Sequence, residues 1–445
     1  MTNHRKIAVL IDDAWRYEKH DILSFLRRHL DFDIITHDDM TAQLLGDAFT
    51  VHRLTVKRPR KCGIYPLVMF FARELDTHMV RYRQTIKVAT KGPVVRCFHQ
   101  LRHLAGRVGL RRYSYTQALE WYYRNSHEHD ALLERYHTLV YMPVFAVDKR
   151  VIFEARAAGL KICCWVYSWD NPFKDNEFPN DADRYLVWNK ATGDDLYRLH
   201  GIPESRTRQV GPAQLDYLRD SDWQDVPPPK ERYVLYACAM GLDEMLAQEV
   251  RMILNIRSIM DHVAPDTALY VRPYPNRRNI EGYASLYGVP GITMLDFGEV
   301  KEGRVLIAQN DLVDRIVQIH NATCFINLGS TIGLEAAYTD TPILQLNYNT
   351  PNDYPAYLDL QQPLKNEHLK YLIRDEYPNT IHSDEELRTS LATILGGEVE
   401  AYRAYSEFLR AFSDPIPDVA SYRHVFLEAL QELDGEAQSS KDPTA

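Results

Sequence analysis

Short apolar runs that end in carboxylate or glycine, each followed by a segment of helical periodicity, recur along the chain and constrain its fold more than any other feature. Residues 6–11 form the first such run, ending at Asp12 and Asp13. A strand this short and uniformly apolar is covered on both faces, as in a parallel sheet whose carboxyl end opens onto a site. Ile22, Leu23, Phe25, Leu26 and Leu30 follow with helical spacing, and residues 32–36 read as a second strand. The order returns at 138–142, 150–158 and 161–167, the last ending on Ser168-Trp169-Asp170-Asn171. It returns again at 184–188, 192–199 and 207–210. Acidic and proline-rich residues from Arg219 to Lys230, with Pro227-Pro228-Pro229, then break the pattern. Strands at 233–237, 268–272, 292–295, 324–327 and 342–346, with a long helix over 244–262, restore it.

These units predict an α/β chain with two Rossmann-like domains, each built on a parallel sheet, and a cleft between them. The first domain is expected over 1–218, a linker over 219–231, and the second domain over 232–375. Helices are expected over 376–435 and a disordered polar tail over 436–445. A chain of 445 residues suits two large domains, and 45% hydrophobic with 25% charged residues is the composition of a soluble globular protein. No apolar run approaches the roughly 18 residues of a membrane span, and the first residues lead directly into a strand, so a cytoplasmic location is expected. Six cysteines without a CxxC pair are read as reduced and structural.

The net charge of −9 argues against general nucleic-acid affinity. Yet residues 53–112 hold fifteen Lys or Arg against only Glu74 and Asp76, a basic insertion in an acidic protein. Aromatic and apolar residues, among them Tyr65, Phe70, Phe71, Val94, Phe98 and Leu104, are interleaved with these cations. Such a mixture suits an anionic membrane surface, or a positive face that is solvated or pairs with the acidic second domain.

Chemistry concentrates where the strand 324–327 ends in Asn327-Leu328-Gly329-Ser330-Thr331-Ile332-Gly333, with Glu335 in the helix that follows. Glycines let backbone approach a ligand, and hydroxyls at a helix start suit phosphate oxygens, so Gly329, Ser330, Thr331 and Gly333 are donor-site candidates. An ordinary helix cap by Ser330 or Thr331, completed by Glu335, accounts for the same residues. Ser-Thr-x-x-x-Glu-Ala followed by Thr-Pro-Ile resembles the donor-binding motif of GT-B glycosyltransferases. The resemblance implies GT-B architecture, a nucleotide-sugar donor linked to UDP, GDP or CMP, no cofactor, no required metal, and Glu335 as the ribose ligand. The commonest form of the motif carries a glutamate where this chain has Asn327. Leu269-Tyr270-Val271-Arg272-Pro273-Tyr274-Pro275 resembles a strand-end element of surface-polysaccharide transferases, with Tyr274 in place of histidine. Arg272, Arg277 and Arg278 are cations for a diphosphate, which guanidinium groups bind through paired hydrogen bonds. A third series, through Tyr167-Ser168-Trp169-Asp170-Asn171-Pro172, Asp183 to Asn189, His200-Gly201-Ile202-Pro203 and Val210-Gly211-Pro212, resembles bacterial surface-carbohydrate biosynthesis proteins.

Base-assisted sugar transfer needs a group aimed at the acceptor hydroxyl. Asp13, Asp12 and Asp170 stand at strand ends of the first domain and are the candidates, with His20 as an outsider; each carboxylate can equally be a helix cap. The resemblance implies a polysaccharide or lipid-linked glycan acceptor, and the membrane reading of the basic insertion 53–112 would hold the enzyme at the inner face of the cell membrane beside such an acceptor. Other readings are a CDP-glycerol-type glycerophosphotransferase, a UDP-N-acetylhexosamine epimerase-like enzyme and a non-catalytic scaffold of polysaccharide assembly. The epimerase's Asp-Ser-Gly-Gly stretch is missing, and the one His-Gly, His200-Gly201, falls in a helix-to-strand turn.

Overall fold

The computed structural model describes residues 6–54, 70–73, 75–90, 92–110, 113–114, 117–118, 131–142, 150–174, 181–219, 221–227, 231–239, 243–275, 281–296, 298–302, 304–351, 354–416 and 418–439. The chain forms two compact units, Met1–Gln214 with Ile416–Ala445, and Leu215–Pro415.

Seven strands build the first unit's sheet: β1 (Lys6–Leu10), β2 (Phe32–Thr36), β3 (Val51–Arg53), β6 (Tyr136–Tyr141), β7 (Lys161–Trp165), β8 (Arg184–Val187) and β9 (Thr207–Gln209). The short β4 (Ala72–Arg73) and β5 (Tyr113–Ser114) pair separately. The sheet runs β3-β2-β1-β6-β7-β8-β9, and all its pairings are parallel. Alternation along β1 explains the apolar run. Ile7, Val9 and Ile11 enter one core, and Ala8 and Leu10 enter the other. The first core is closed by Ile22, Leu23, Phe25 and Leu26 of helix Tyr17–Arg27, and by Phe426, Leu427, Leu430 and Leu433 of helix Tyr422–Ser439. Phe426 meets Trp165 of β7 edge-on at 5.4 Å. Val151, Ile152 and Ala155 of helix Arg150–Ala157 close the second core. The last helix continues through Ser439, past residue 436 where polar composition predicts disorder to begin, because Glu, Ala and Gln sustain a helix once its apolar stripe is docked.

The second unit repeats the plan with six parallel strands in the order β12-β11-β10-β15-β16-β17. They are β10 (Tyr233–Ala237), β11 (Ala268–Arg272), β12 (Ile292–Met294), β15 (Cys324–Asn327), β16 (Ile343–Leu346) and β17 (Thr380–Ile381), while β13 (Glu299–Lys301) and β14 (Arg304–Leu306) form an antiparallel hairpin. Helix Leu246–Val263 buries Val250, Ile253, Ile256 and Ile259, the periodic face expected of it. In the segment whose composition predicts a linker, Trp223 is buried with its ring 5.1 Å from that of His320. One large aromatic side chain anchors a stretch that prolines and acids alone would leave loose.

Both sheets reverse their strand order once, between β1 and β6 in the first unit and between β10 and β15 in the second. In open parallel sheets the crevice outside the carboxyl ends at such a reversal is where ligands bind. Asp12 and Asp13 follow β1, and the turn from Leu328 to Ser330 follows β15.

Candidate functional site

At the second unit's reversal, β15 ends on Asn327, whose side-chain oxygen accepts the Gly329 N–H at 2.7 Å. Gly329 has φ +85°, a conformation that favours glycine. A Cβ on Gly333 would stand 3.1 Å from the Asn327 side-chain nitrogen, so Asn327 fills the space under the whole turn. Ser330 is extended at the start of helix Thr331–Ala336 but does not cap it. Its Oγ is buried with no hydrogen-bond partner. The Ser330 hydroxyl is therefore not taken up by an ordinary cap, and an orphaned polar atom at a strand end is what a polar ligand would satisfy.

Glu335 is buried one turn into that helix. Its Oε2 accepts from the Tyr217 hydroxyl at 2.9 Å and lies 2.7 Å from Arg315 Nε, an ion pair. Arg315 Nη2 also donates to the Tyr217 oxygen at 2.7 Å. Arg272, at the end of β11, donates to Gln318 Oε1 at 2.8 Å. Burial foremost, with Arg315 nearby, pulls the Arg272 guanidinium down to about 10, against the opposing pull of Glu335 and Asp311. The Arg272 and Arg315 guanidiniums thus both interact with the Glu335 carboxylate, and Asp311 acts on Arg272 as well. The structure therefore brings Arg272, Gly329, Ser330, Thr331, Gly333 and Glu335 to one end of one sheet; Arg277 and Arg278 lie outside the described residues. Arg315 was not foreseen, although a sequence signal exists. It falls on the buried stripe of Leu312, Ile316 and Ile319 in helix Gln309–His320, where a cation needs a partner.

In the first unit the three carboxylates expected as bases have different partners. Asp12 Oδ1 accepts from Thr36 Oγ1 and from the His37 backbone N–H, both at 2.7 Å, and Oδ2 lies 3.1 Å from His37 Nδ1. Burial would raise this carboxyl, but the His37 and Thr36 hydrogen bonds outweigh it and hold Asp12 below the ordinary value of 3.8. Asp13 is paired with Lys19, a fully buried ammonium that also donates to the Met142 carbonyl at 2.9 Å. Burial, countered by Asp13, lowers the Lys19 pKa. Asp170 pairs with Lys174 one helical turn on, at 2.5 Å. His20 contacts the Ala14 carbonyl, and burial lowers its pKa.

His37 was likewise not foreseen. Its side chain is 13% exposed, and its Nε2 is buried without a hydrogen-bond partner. Its Nδ1 faces the Asp12 carboxylate, an arrangement by which a carboxylate orients an imidazole ring. Its sequence signal equals that of Asp12: it directly follows a strand.

No family model matches the chain, and no curated protein matches it in sequence. Solved structures do match. A protein assigned as a UDP-N-acetylglucosamine 2-epimerase from Listeria monocytogenes superposes with a TM-score of 0.53 at 12% identity, covering 97% of this chain and 97% of its own. The UDP-N-acetylglucosamine 2-epimerase of Neisseria meningitidis, solved with UDP-N-acetylglucosamine bound, gives 0.52 at 10% identity, covering 96% of this chain and 99% of its own. The fold is GT-B. Sugar-nucleotide epimerases and glycosyltransferases share it. Within a GT-B chain, both clusters built above stand at the carboxyl ends of parallel strands, and they are chemically distinct: cations and an orphaned hydroxyl in the second unit, a carboxylate-held imidazole in the first.

Proposed function

We propose that the chain is a metal-independent glycosyltransferase. The second unit holds the nucleotide of a UDP-, GDP- or CMP-linked sugar, and the first unit deprotonates a hydroxyl of a polysaccharide or lipid-linked glycan acceptor. The observation that carries this reading is the Asp12–His37 pair, in which His37 Nε2 has no hydrogen-bond partner, because a scaffold has no use for an oriented base. The Nε2 lone pair takes the acceptor's hydroxyl proton as that oxygen bonds to the sugar's anomeric carbon. The bond from that carbon to the phosphate oxygen breaks, and the nucleotide leaves with the electron pair. Arg272 and Arg315 offset the charge arriving on the phosphate, Ser330 Oγ donates to it, and Glu335 orders Arg315 while accepting from the ribose. Asp12 acts through His37. Asp13 and Asp170 hold Lys19 and Lys174.

A UDP-sugar is the first donor to test, since the Neisseria meningitidis protein of this fold holds UDP-N-acetylglucosamine. Binding is read by thermal shift over UDP, GDP, CMP and CDP and their sugars; a ligand at 100 times its dissociation constant adds about 2.7 kcal/mol. His37→Gln is expected to lower transfer by about 10²- to 10⁴-fold while keeping the nucleotide-induced shift. Undiminished transfer in that variant would remove His37 as the base. The epimerase reading has support from the two similar structures, and the same material separates it. Conversion of UDP-N-acetylglucosamine to its C2 epimer without any acceptor would replace transfer by epimerisation, and a CDP-glycerol-only response would point to glycerophosphate transfer. Silence to every nucleotide would leave the scaffold.

A further inference from the structure

Between Asp76 and Glu120 the chain carries nine Lys or Arg and no carboxylate. Within that stretch, helix Pro93–Arg107 starts with proline after Gly92 and follows helix His78–Thr90. Arg96 ties the two together, donating from Nε to the Val88 carbonyl at 2.9 Å and from Nη2 to the Ala89 carbonyl at 3.2 Å. That arginine ends the first helix and fixes where the second one starts.

At 100° per residue, Val94, Cys97, Phe98, Leu101, Leu104, Ala105 and Val108 fall on one side of the second helix. A stripe of this width normally faces a core. Here Val94 is 81% exposed, Val108 62%, Leu104 55% and Leu101 52%, and Leu110 just beyond the helix is also exposed. Single exposed apolar residues mean little, but Val94, Leu101, Leu104 and Val108 on one continuous strip of one helix and its cap mark a surface that meets something apolar. The opposite side holds His99, Gln100, His103 and Arg107, with Arg102 at its edge and exposed Lys87 on the preceding helix. Among the described residues no helix is long and apolar enough to cross a membrane. An apolar face, cations with no acid among them and no spanning segment are the attributes of a helix lying in a membrane interface.

We propose that helix Pro93–Arg107 and its extension to Leu110 lie in the surface of an anionic phospholipid bilayer, with Val94, Leu101, Leu104 and Val108 among the acyl chains and the surrounding arginines at the headgroups. Charge decides between this occupant and a second copy of the chain. A second copy meeting this strip would cover its apolar residues but bring no carboxylate of the same stretch to the cations that flank it, whereas an anionic headgroup layer answers both the apolar strip and the flanking cations. The proposal stands independently of the sugar-transfer reading, because it invokes none of the residues of either strand-end cluster.

The test uses the full chain and sucrose-loaded vesicles of phosphatidylcholine with or without about 30% phosphatidylglycerol, a fraction chosen to give a strongly negative surface. Sedimentation with the anionic vesicles at low salt is expected, at least about tenfold stronger than with neutral ones, since each cation near such a surface is worth about fivefold in binding. Leu101→Glu with Leu104→Glu, both at exposed positions, is expected to abolish it with melting temperature unchanged. Arg102→Gln with Arg107→Gln is expected to weaken it by about 25-fold. Failure of the full chain to bind anionic vesicles, or full binding by the Leu101/Leu104 variant, overturns the proposal. So does a concentration-dependent dimer that the same double variant dissociates, which would make a second copy the occupant.

Discussion

Asp12 makes the clearest single-residue prediction because its environment acts in two directions. Burial disfavours its charge, and hydrogen bonds from His37 and Thr36 favour it more strongly, so its folded pKa lies below the ordinary 3.8. A carboxyl depressed in this way contributes stability at pH values above its unfolded pKa, and that contribution is lost as pH falls through the folded value. Urea midpoints taken between about pH 5 and pH 2 should therefore fall more steeply for the wild type than for Asp12→Asn, with the two curves converging toward the acid end. Parallel curves would mean that Asp12 is not held ionised by these bonds. This residue also shows how far the site was legible. Position at the end of an apolar run marks Asp12 and Asp13 as functional candidates, and both lie at the sheet's reversal. What each carboxylate does depends on its partners: Asp12 meets His37, just past the end of the next strand, and Asp13 meets Lys19 from the next helix. Spacing along the chain carries no information about which of two adjacent acids faces which partner. Asn327 is the converse case. It departs from the commonest form of the donor motif, and its side-chain oxygen accepts the Gly329 N–H and so braces the turn.

Elements were more legible than partners because each is written in its own period. Strands β11 and β15 occupy the residues their apolar runs predict, 268–272 and 324–327. The first helix begins at Tyr17, ahead of the apolar periodicity that starts at Ile22, because Glu18 and Lys19 in its first turn are buried and paired. Hydrophobicity alone cannot register a charged residue that is inside. Docking of the last helix depends on another local feature. Gly211 has φ +74°, and a methyl group there would overlap the Tyr422 ring at that helix's start. Gly211→Ala should cost about 2–4 kcal/mol, combining the left-handed backbone penalty with overpacking against an aromatic ring. Chemical denaturation of the variant measures this. A loss under about 0.5 kcal/mol, the size of an ordinary surface change, would show that Tyr422 does not seat against that turn.

At the scale of the molecule, repetition of the βα pattern made two sheets legible, but the path of the chain between them was not. A helical stripe such as Phe426, Leu427, Leu430 and Leu433 declares that it must be buried and says nothing about which sheet will bury it. The second unit is one continuous segment, Leu215–Pro415, whereas the first is completed by residues that follow it. Arg219 and Asp414, near the two ends of the second unit, form an ion pair, so the chain enters and leaves that unit at neighbouring points. An insertion of this kind predicts unequal independence. A fragment covering 215–415 contains its whole six-stranded sheet and should unfold cooperatively by itself, and it should keep the thermal shift with whichever nucleotide the full chain binds. A fragment covering 1–214 leaves Ile7, Val9, Ile11 and Trp165 without the Phe426 face that covers them. It should bind a hydrophobic dye and lack sharp near-ultraviolet dichroism, as chains without fixed packing do. Adding a peptide of residues 416–439 should then restore both properties, because the peptide supplies the missing half of that core. Cooperative unfolding of 1–214 without the peptide would show instead that helix Tyr422–Ser439 only decorates a sheet already closed.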